Sequence, residues 1–115
     1  MFLKLNHQNL HVYQASLDYV VECYRICGTF PPEEKFGMSS QVKRAALSVH
    51  LNIAEGASRK SAAERKRYYE ISRGSMIEID GAFDVADRLG YLKSVSLVTM
   101  EAKTVHCFKL LCGMI

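Results

Sequence analysis

The segment from Ser61 to Gly90 constrains this chain most, because nothing in it stops a helix. Ser61-Ala62-Ala63-Glu64 has the form of a capping box. In that motif the Ser hydroxyl accepts from a free N–H of the first turn, and the Glu carboxylate reaches back to the cap. No proline follows, and Gly90 stands just past Leu89, where a helix can end. The spacing predicts a helix over 61–89, about 43 Å long. Ile71, Ser75, Ala82, Val85 and Leu89 share one of its faces, with Tyr69, Met76 and Phe83 beside them at heptad spacing.

The same scarcity of breakers extends to the rest of the chain. The only two prolines are adjacent, Pro31 and Pro32. Tyr13, Leu17, Val20, Val21, Tyr24 and Cys27 recur every three or four residues and predict a first helix over about 10–27. Gly28 and FPPEEKFG end it, with one short helical turn at Pro32–Lys35. A second helix covers about 39–57, capped by a Ser near Met38–Ser40. A fourth covers about 95–112 from a start near Ser94 or Ser96, with Leu97, Met100, Val105, Phe108, Leu111 and Cys112 as its apolar stripe. No segment alternates with period two, so no strand is expected. Short connections between long helices make antiparallel neighbours. The expected fold is all-α, an up-down-up-down antiparallel four-helix bundle, and residues 1–115 form a single domain.

The second helix carries an unusual polar seam. Gln41, Arg44, Ser48, Asn52, Glu55 and Arg59 fall within roughly 80° on the helical wheel. Val42, Ala45, Ala46, Val49, Ile53 and Gly56 flank it on one side, and Leu47, Leu51 and Ala54 on the other. Lys43, His50 and Ala57 are left to face water. A seam so enclosed is expected to be buried, in the bundle or at a subunit contact, and to need polar partners. With helices two and three joined near residue 60, positions summing to about 120 should be level. Arg44 and Glu78 nearly meet that condition and are expected to pair, with Gln41, Ser48 and Asn52 completing the network. Gly74 and Gly81 lie seven apart on one side of helix three. Mid-helix glycine costs roughly 1 kcal/mol against alanine, which suggests a close crossing, within the bundle or between subunits. Gly56 is assigned to close packing as well.

The net charge of +3 is too small to imply a nucleic-acid partner by itself. Its distribution is more informative. Arg59, Lys60, Arg65, Lys66, Arg67 and Arg73 surround the start of helix three, and Glu78, Asp80, Asp84 and Asp87 occupy its second half. Both placements oppose the helix dipole, which favours anions first and cations last. Cations around free N–H groups at a helix start make a phosphate-binding surface. Tyr68 and Tyr69 could stack on bases, although Tyr69 also fits the core. The bland alternatives are a solvated surface or a patch answering the acidic end of a neighbouring subunit.

Other chemistries find less support. Cys23, Cys27, His106, Cys107 and Cys112 invite a metal reading, but an up-down bundle puts them at opposite ends, beyond the ~2.3 Å reach of a zinc–sulfur bond. Small buried apolar groups is the better reading, with no metal and no cofactor expected. Arg44 and His50 have the R-x5-H spacing of a class of small helical ribonucleases, the HEPN superfamily, which cleave RNA without metal. Here the two side chains lie about 120° apart, and Ala45 follows the Arg where that motif commonly has a polar residue. No phosphate loop, nucleophile elbow or metalloprotease motif is present. The chain is therefore expected not to be an enzyme. No apolar run approaches the ~20 residues of a membrane span, and the first residues lack a signal-peptide core. A cytoplasmic location with free thiols and no membrane partner is expected.

FPPEEKFG, SSQVKRAALS, NIAEG, GSMIEID and LGYL, in this order and spacing, resemble the bacterial four-helix bundle family named after the 23S ribosomal RNA intervening sequence. The resemblance covers roughly Leu10 to Leu111. It implies a bundle that assembles as a ring, commonly a pentamer. A related group, the accessory variability proteins of diversity-generating retroelements, are basic pentameric barrels that bind nucleic acid and a reverse transcriptase. The family offers no catalytic residues to carry over. Gln41, Arg44, Asn52, Glu55, Gly56, Gly74, Ser75 and Glu78 match its motif positions and read as architectural. The family pattern usually has proline in the Ser48–His50 region, where this chain has none. The function expected from all this is non-catalytic binding of RNA or DNA by a homo-oligomer. The alternatives are a scaffold that binds another protein, and, more remotely, a metal-independent ribonuclease using Arg44 and His50.

Overall fold

A computed structural model describes residues 2–115, the side chain of Asn9 excepted. Four helices account for most of it: α1 His11–Cys27, α2 Met38–Ala57, α3 Ala62–Arg88 and α4 Val98–Cys112. Among the described residues there is no strand. Short 3₁₀ turns at Asn6–Asn9 and Pro32–Glu34 precede α1 and α2. The helices pack as a bundle 44 × 24 × 24 Å, whose long dimension is close to the length of α3 alone. α2 lies in the middle, against both α1 and α3, and α4 rests mainly on α1.

The helix ends show which local signals acted. Ser61 caps α3 by accepting from Glu64 N–H, 3.1 Å away. At the other end Gly90 adopts φ +82°. Tyr91 N–H then bonds Ala86 C=O at 2.9 Å and Gly90 N–H bonds Asp87 C=O at 3.0 Å, a Schellman closure. The start of α2 differs from the expected serine cap. Met38 N–H donates instead to Glu34 Oε1 at 3.1 Å, because the 3₁₀ turn brings that carboxylate to the free N–H groups. Tyr91 O–H donates to Glu34 Oε2 at 2.8 Å, tying this turn to the α3 terminus. α4 begins at Val98, later than Ser94 or Ser96, and with no side-chain cap. The Schellman turn feeds Leu92 into the core, and the chain must come back out before a new helix can start.

The core is formed by Tyr19, Cys23 and Ile26 of α1, Val49 and Ile53 of α2, Met76 and Ile79 of α3, and Cys107 and Leu111 of α4. Burial raises the Cys23 and Cys107 thiols to about 12, so both are protonated small apolar groups at neutral pH. The α2–α3 contact is the most extensive in the bundle. Its tightest point is Gly56, where a Cβ would stand 2.9 Å from Tyr68 Cβ and 2.9 Å from Tyr69 Cε1. Ser72 Oγ, wholly buried, donates to Val49 C=O at 2.8 Å across the same contact.

The register of α2 on α3 agrees with the antiparallel rule: Ser72 meets Val49, Ser75 meets Ser48 at 3.0 Å, and Glu78 meets Gln41. The expected Arg44–Glu78 pair is not formed. Glu78 accepts from Gln41 Nε2, and Arg44 is exposed with no ion pair among the described residues. Burial of the whole seam within the bundle, one of the two expected settings, is not found either. Ser48 and Asn52 are half-buried and bonded to each other at 3.1 Å, but Gln41, Arg44, Glu55 and Glu78 are exposed. The physical reason is the rotation of α2 about its axis. Lys43 and His50, which the wheel assigned to water, face α1, where Lys43 Nζ lies 5.3 Å from the Tyr24 ring centre. Leu47 and Leu51, the supposed second wall of the seam, are left 42% and 58% exposed.

Gly74 and Gly81 depart from expectation inside the single chain. A Cβ at either position meets nothing within 4 Å. Both lie on an open strip of α3 that also carries exposed Ile71 and Val85.

Candidate nucleic-acid interface

Five of the cations predicted around the start of α3 lie in its first two turns and the loop before it, Arg73 lies near its middle, and they are in two different states. Arg59 is half-buried and held within the chain. It forms an ion pair with Glu55, donates from Nη2 to Tyr68 Oη at 3.1 Å, and lies 5.1 Å from the centre of the Tyr68 ring. Arg65 is half-buried and holds the loop: its Nη1 donates to Arg59 C=O at 3.0 Å and Lys60 C=O at 2.7 Å. Those carbonyls lie just past the end of α2, where backbone acceptors have no helical partner. Lys66 Nζ is 4.0 Å from Glu70 Oε1, both side chains exposed, a contact worth little.

Lys60, Arg67 and Arg73 form no ion pair among the described residues. Lys60 and Arg67 are exposed and Arg73 is half-buried. Sequence reasoning treated the six cations alike. It did not separate the loop-holding pair, Arg59 and Arg65, from the free group. The available signal was Glu55, four residues before Arg59, which marks an i,i+4 pair. The two tyrosines also part company. Tyr69 is 4% exposed, with its phenol raised by desolvation, and belongs to the core. Tyr68 is half-buried and in contact with Arg59.

The dipole-opposing pattern survives in three dimensions. Asp80, Asp84 and Asp87 are exposed on the far half of α3 and form no ion pair among the described residues. Arg67 and Asp84 are about 26 Å apart along the helix axis, beyond the ~8 Å screening length at physiological salt. The far carboxylates therefore do not neutralise the basic end, where Glu64 and Glu70 are the acidic residues of the same helix.

These positions belong to a recognisable sequence type. The family model for the 23S rRNA-intervening sequence protein matches residues 8–113. The chain belongs to that family. No curated protein matches it. In this member of the 23S rRNA-intervening sequence family the motif glycine Gly56 sits at the tightest helix contact, whereas the motif residues Arg44, Glu78 and Gly74 lie on the open side of α2 and α3. Among the described residues no helix is long and apolar enough to cross a membrane.

The remaining chemical candidates take definite places. Arg44 is on the exposed outer side of α2, while His50 faces α1, its Nδ1 2.8 Å from Ser16 Oγ and its ring 4.5 Å from that of Tyr13. The structure does not bring the two together. Ser16 donates its hydroxyl proton to Tyr13 C=O at 2.9 Å, so His50 Nδ1–H is the donor to Ser16 Oγ. Among the described residues no three His, Cys, Asp or Glu side chains converge as metal ligands.

The His50 site predicts a pH effect. Desolvation, with a smaller contribution from His7, lowers its pKa below the ordinary 6.5. In the unfolded chain the imidazole takes up a proton below about 6.5, and in the fold it does so only at lower pH. The unfolded state binds more protons in that window, so stability falls as pH drops through it. Urea titrations at stepped pH should show this loss between about pH 7 and 5, and His50→Gln should flatten it. An unaltered pH slope in the variant would assign the effect to other groups.

Proposed function

We propose that this protein is a non-catalytic homo-oligomer, a pentameric ring, that binds RNA or another nucleic acid through Lys60, Arg65, Lys66, Arg67 and Arg73. The observation that carries the binding half is the basic half of α3, with three cations that form no ion pair among the described residues. Lys60 and Arg67 flank the first turns of a long helix, where the dipole adds positive potential, and Arg73 continues the basic surface toward the middle of α3. Phosphate satisfies both. Arg65 holds the loop through neutral carbonyls and forms no ion pair among the described residues. Binding of this type reads backbone charge and not base edges, so it should be weakly sequence-selective and strongly salt-dependent. Filter binding of a single-stranded RNA at about 50 and about 200 mM salt tests it. Retention at low salt that disappears at high salt is expected, and no retention at low salt would remove the reading. The same incubation reports on cleavage: the RNA should stay intact.

The assembly half draws on the open side of α2 and α3. Leu47, Leu51, Ile71 and Val85 are each at least 42% exposed there. They lie among polar residues that are only partly satisfied within the chain, Arg44 above all. Bare Gly74 and Gly81 would let a second backbone come close. A Cβ at Gly74 meets nothing within 4 Å of it in the chain, so Gly74→Leu should keep its helicity. It should lose assembly, with light scattering on a size column falling to the 13.0 kDa of one chain. A variant that assembles like the wild type would place the subunit contact elsewhere.

A further inference from the structure

α4 leans on α1 and leaves a groove between itself and α3. Two adjoining hollows of about 350 and 320 Å³ share Asp80, Thr104 and Val105, so they form one trough. Its floor is apolar: Met76, Phe83, Leu92, Leu97, Met100 and Phe108 line one hollow or the other. Val105, 52% exposed, and Ile77, 58% exposed, stand at its lips. The rim is acidic. Asp80, Asp84, Asp87 and Glu101 are all exposed and none is ion-paired among the described residues. From Leu97 to Phe108 the trough runs about 17 Å along α4, three helical turns.

An apolar trough of that length fits the apolar stripe of one helix laid along it. Four unpaired carboxylates around the trough repel an acidic or phosphate-bearing occupant and attract a cationic one. We infer that the α3–α4 groove is a docking site for a cationic amphipathic helix of another protein, with leucine-like side chains in the trough and Lys or Arg against Asp80, Asp84, Asp87 and Glu101. This surface runs along the second half of α3 and does not depend on the nucleic-acid reading. A single chain would then carry a basic end for nucleic acid and an acidic groove for a basic protein segment.

The probe is a fluorescently labelled helix of about 14 residues, long enough to cover the trough, made of Leu and Lys with Leu at i, i+3, i+4 and i+7. Anisotropy titrations of the native full-length chain should saturate at one peptide per chain and weaken with added salt. Asp80→Asn with Asp84→Asn and Asp87→Asn should weaken binding about tenfold or more. Val105→Glu, at an exposed position, should do the same by putting a charge over the trough. A Lys peptide with Ser in place of Leu should bind at least about tenfold more weakly than the Leu/Lys peptide, because it has nothing to place on the apolar floor. Absence of saturable binding, equal binding of the Ser/Lys peptide, or indifference to both variants would each overturn the site. So would a groove variant that changes the particle size of the free protein, since the occupant would then be a second copy.

Discussion

Gly56→Ala is expected to lower the unfolding free energy by about 1–3 kcal/mol, the usual range for overpacking a well-filled contact. The direction is opposite to helix propensity, which favours alanine by up to about 1 kcal/mol in a helix interior and by less in the last turn, where Gly56 lies. Packing wins because of what the new methyl meets. Tyr68 Cβ at 2.9 Å is fixed to the α3 backbone and cannot swing aside, and Tyr69 Cε1 at 2.9 Å belongs to a ring locked in the core. The two helices have to separate, which also stretches the 2.8 Å Ser72–Val49 hydrogen bond. For a domain of this size the melting temperature should drop by roughly 5–15 °C. Thermal or urea unfolding followed by circular dichroism measures it. A melting temperature equal to or above that of the wild type would show that α2 and α3 do not approach each other this closely.

Lys60→Ala with Arg67→Ala and Arg73→Ala is expected to weaken single-stranded RNA binding about hundredfold near 0.1 M salt. Each phosphate contact to a single strand contributes about 0.7 to the slope of log affinity against log salt, so three contacts contribute about 2. At 0.1 M that slope corresponds to about two decades of affinity, and in the variant the slope itself should be shallower by about 2. The three residues form no ion pair among the described residues, so melting should be nearly unchanged. Arg65 is left in place because it holds the Arg59 and Lys60 carbonyls. Its removal would confuse loop damage with lost binding. Equal affinity and an equal salt slope in variant and wild type would take nucleic acid away from this end of the bundle.

Much of the architecture was legible because it rests on local chemistry. The Ser61 cap, the Gly90 terminus and the period of the apolar stripes each depend on residues a few positions apart. Even the α2–α3 register could be read, since a short loop near residue 60 between antiparallel rods leaves little freedom. Where a cap came from a distant segment the local reading failed: Glu34, held in place by the 3₁₀ turn, took the part expected of a serine at the start of α2. The start of α4 was missed for the same reason, because the turn after α3 is shaped by Leu92 entering the core.

The basic site was legible as a cluster but not as a division of labour. Charge and position along the chain identified Arg59, Lys60, Arg65, Lys66, Arg67 and Arg73. Whether an arginine is free or serves the fold depends on which carbonyls and carboxylates the loop brings to it, and that is a property of the loop's path. The apolar trough beside α4 had no sequence signal either. Its lining residues are the ordinary apolar stripes of two helices, and a gap between stripes exists only once both are placed.

By itself the sequence determined that this chain is a set of four long helices, where three of them begin and end, and how α2 and α3 slide against each other. Those features follow from hydrogen bonds and side-chain periods within a single turn or loop. Only the tertiary structure decided how α2 is rotated between its two neighbours. About 60° on the helical wheel separates Gln41 from Arg44, and packing His50 and Lys43 against α1 brings Gln41 to Glu78 and turns Arg44, Leu47 and Leu51 outward. That rotation is set by the sum of contacts on both sides of the helix, and no stretch of sequence contains that sum.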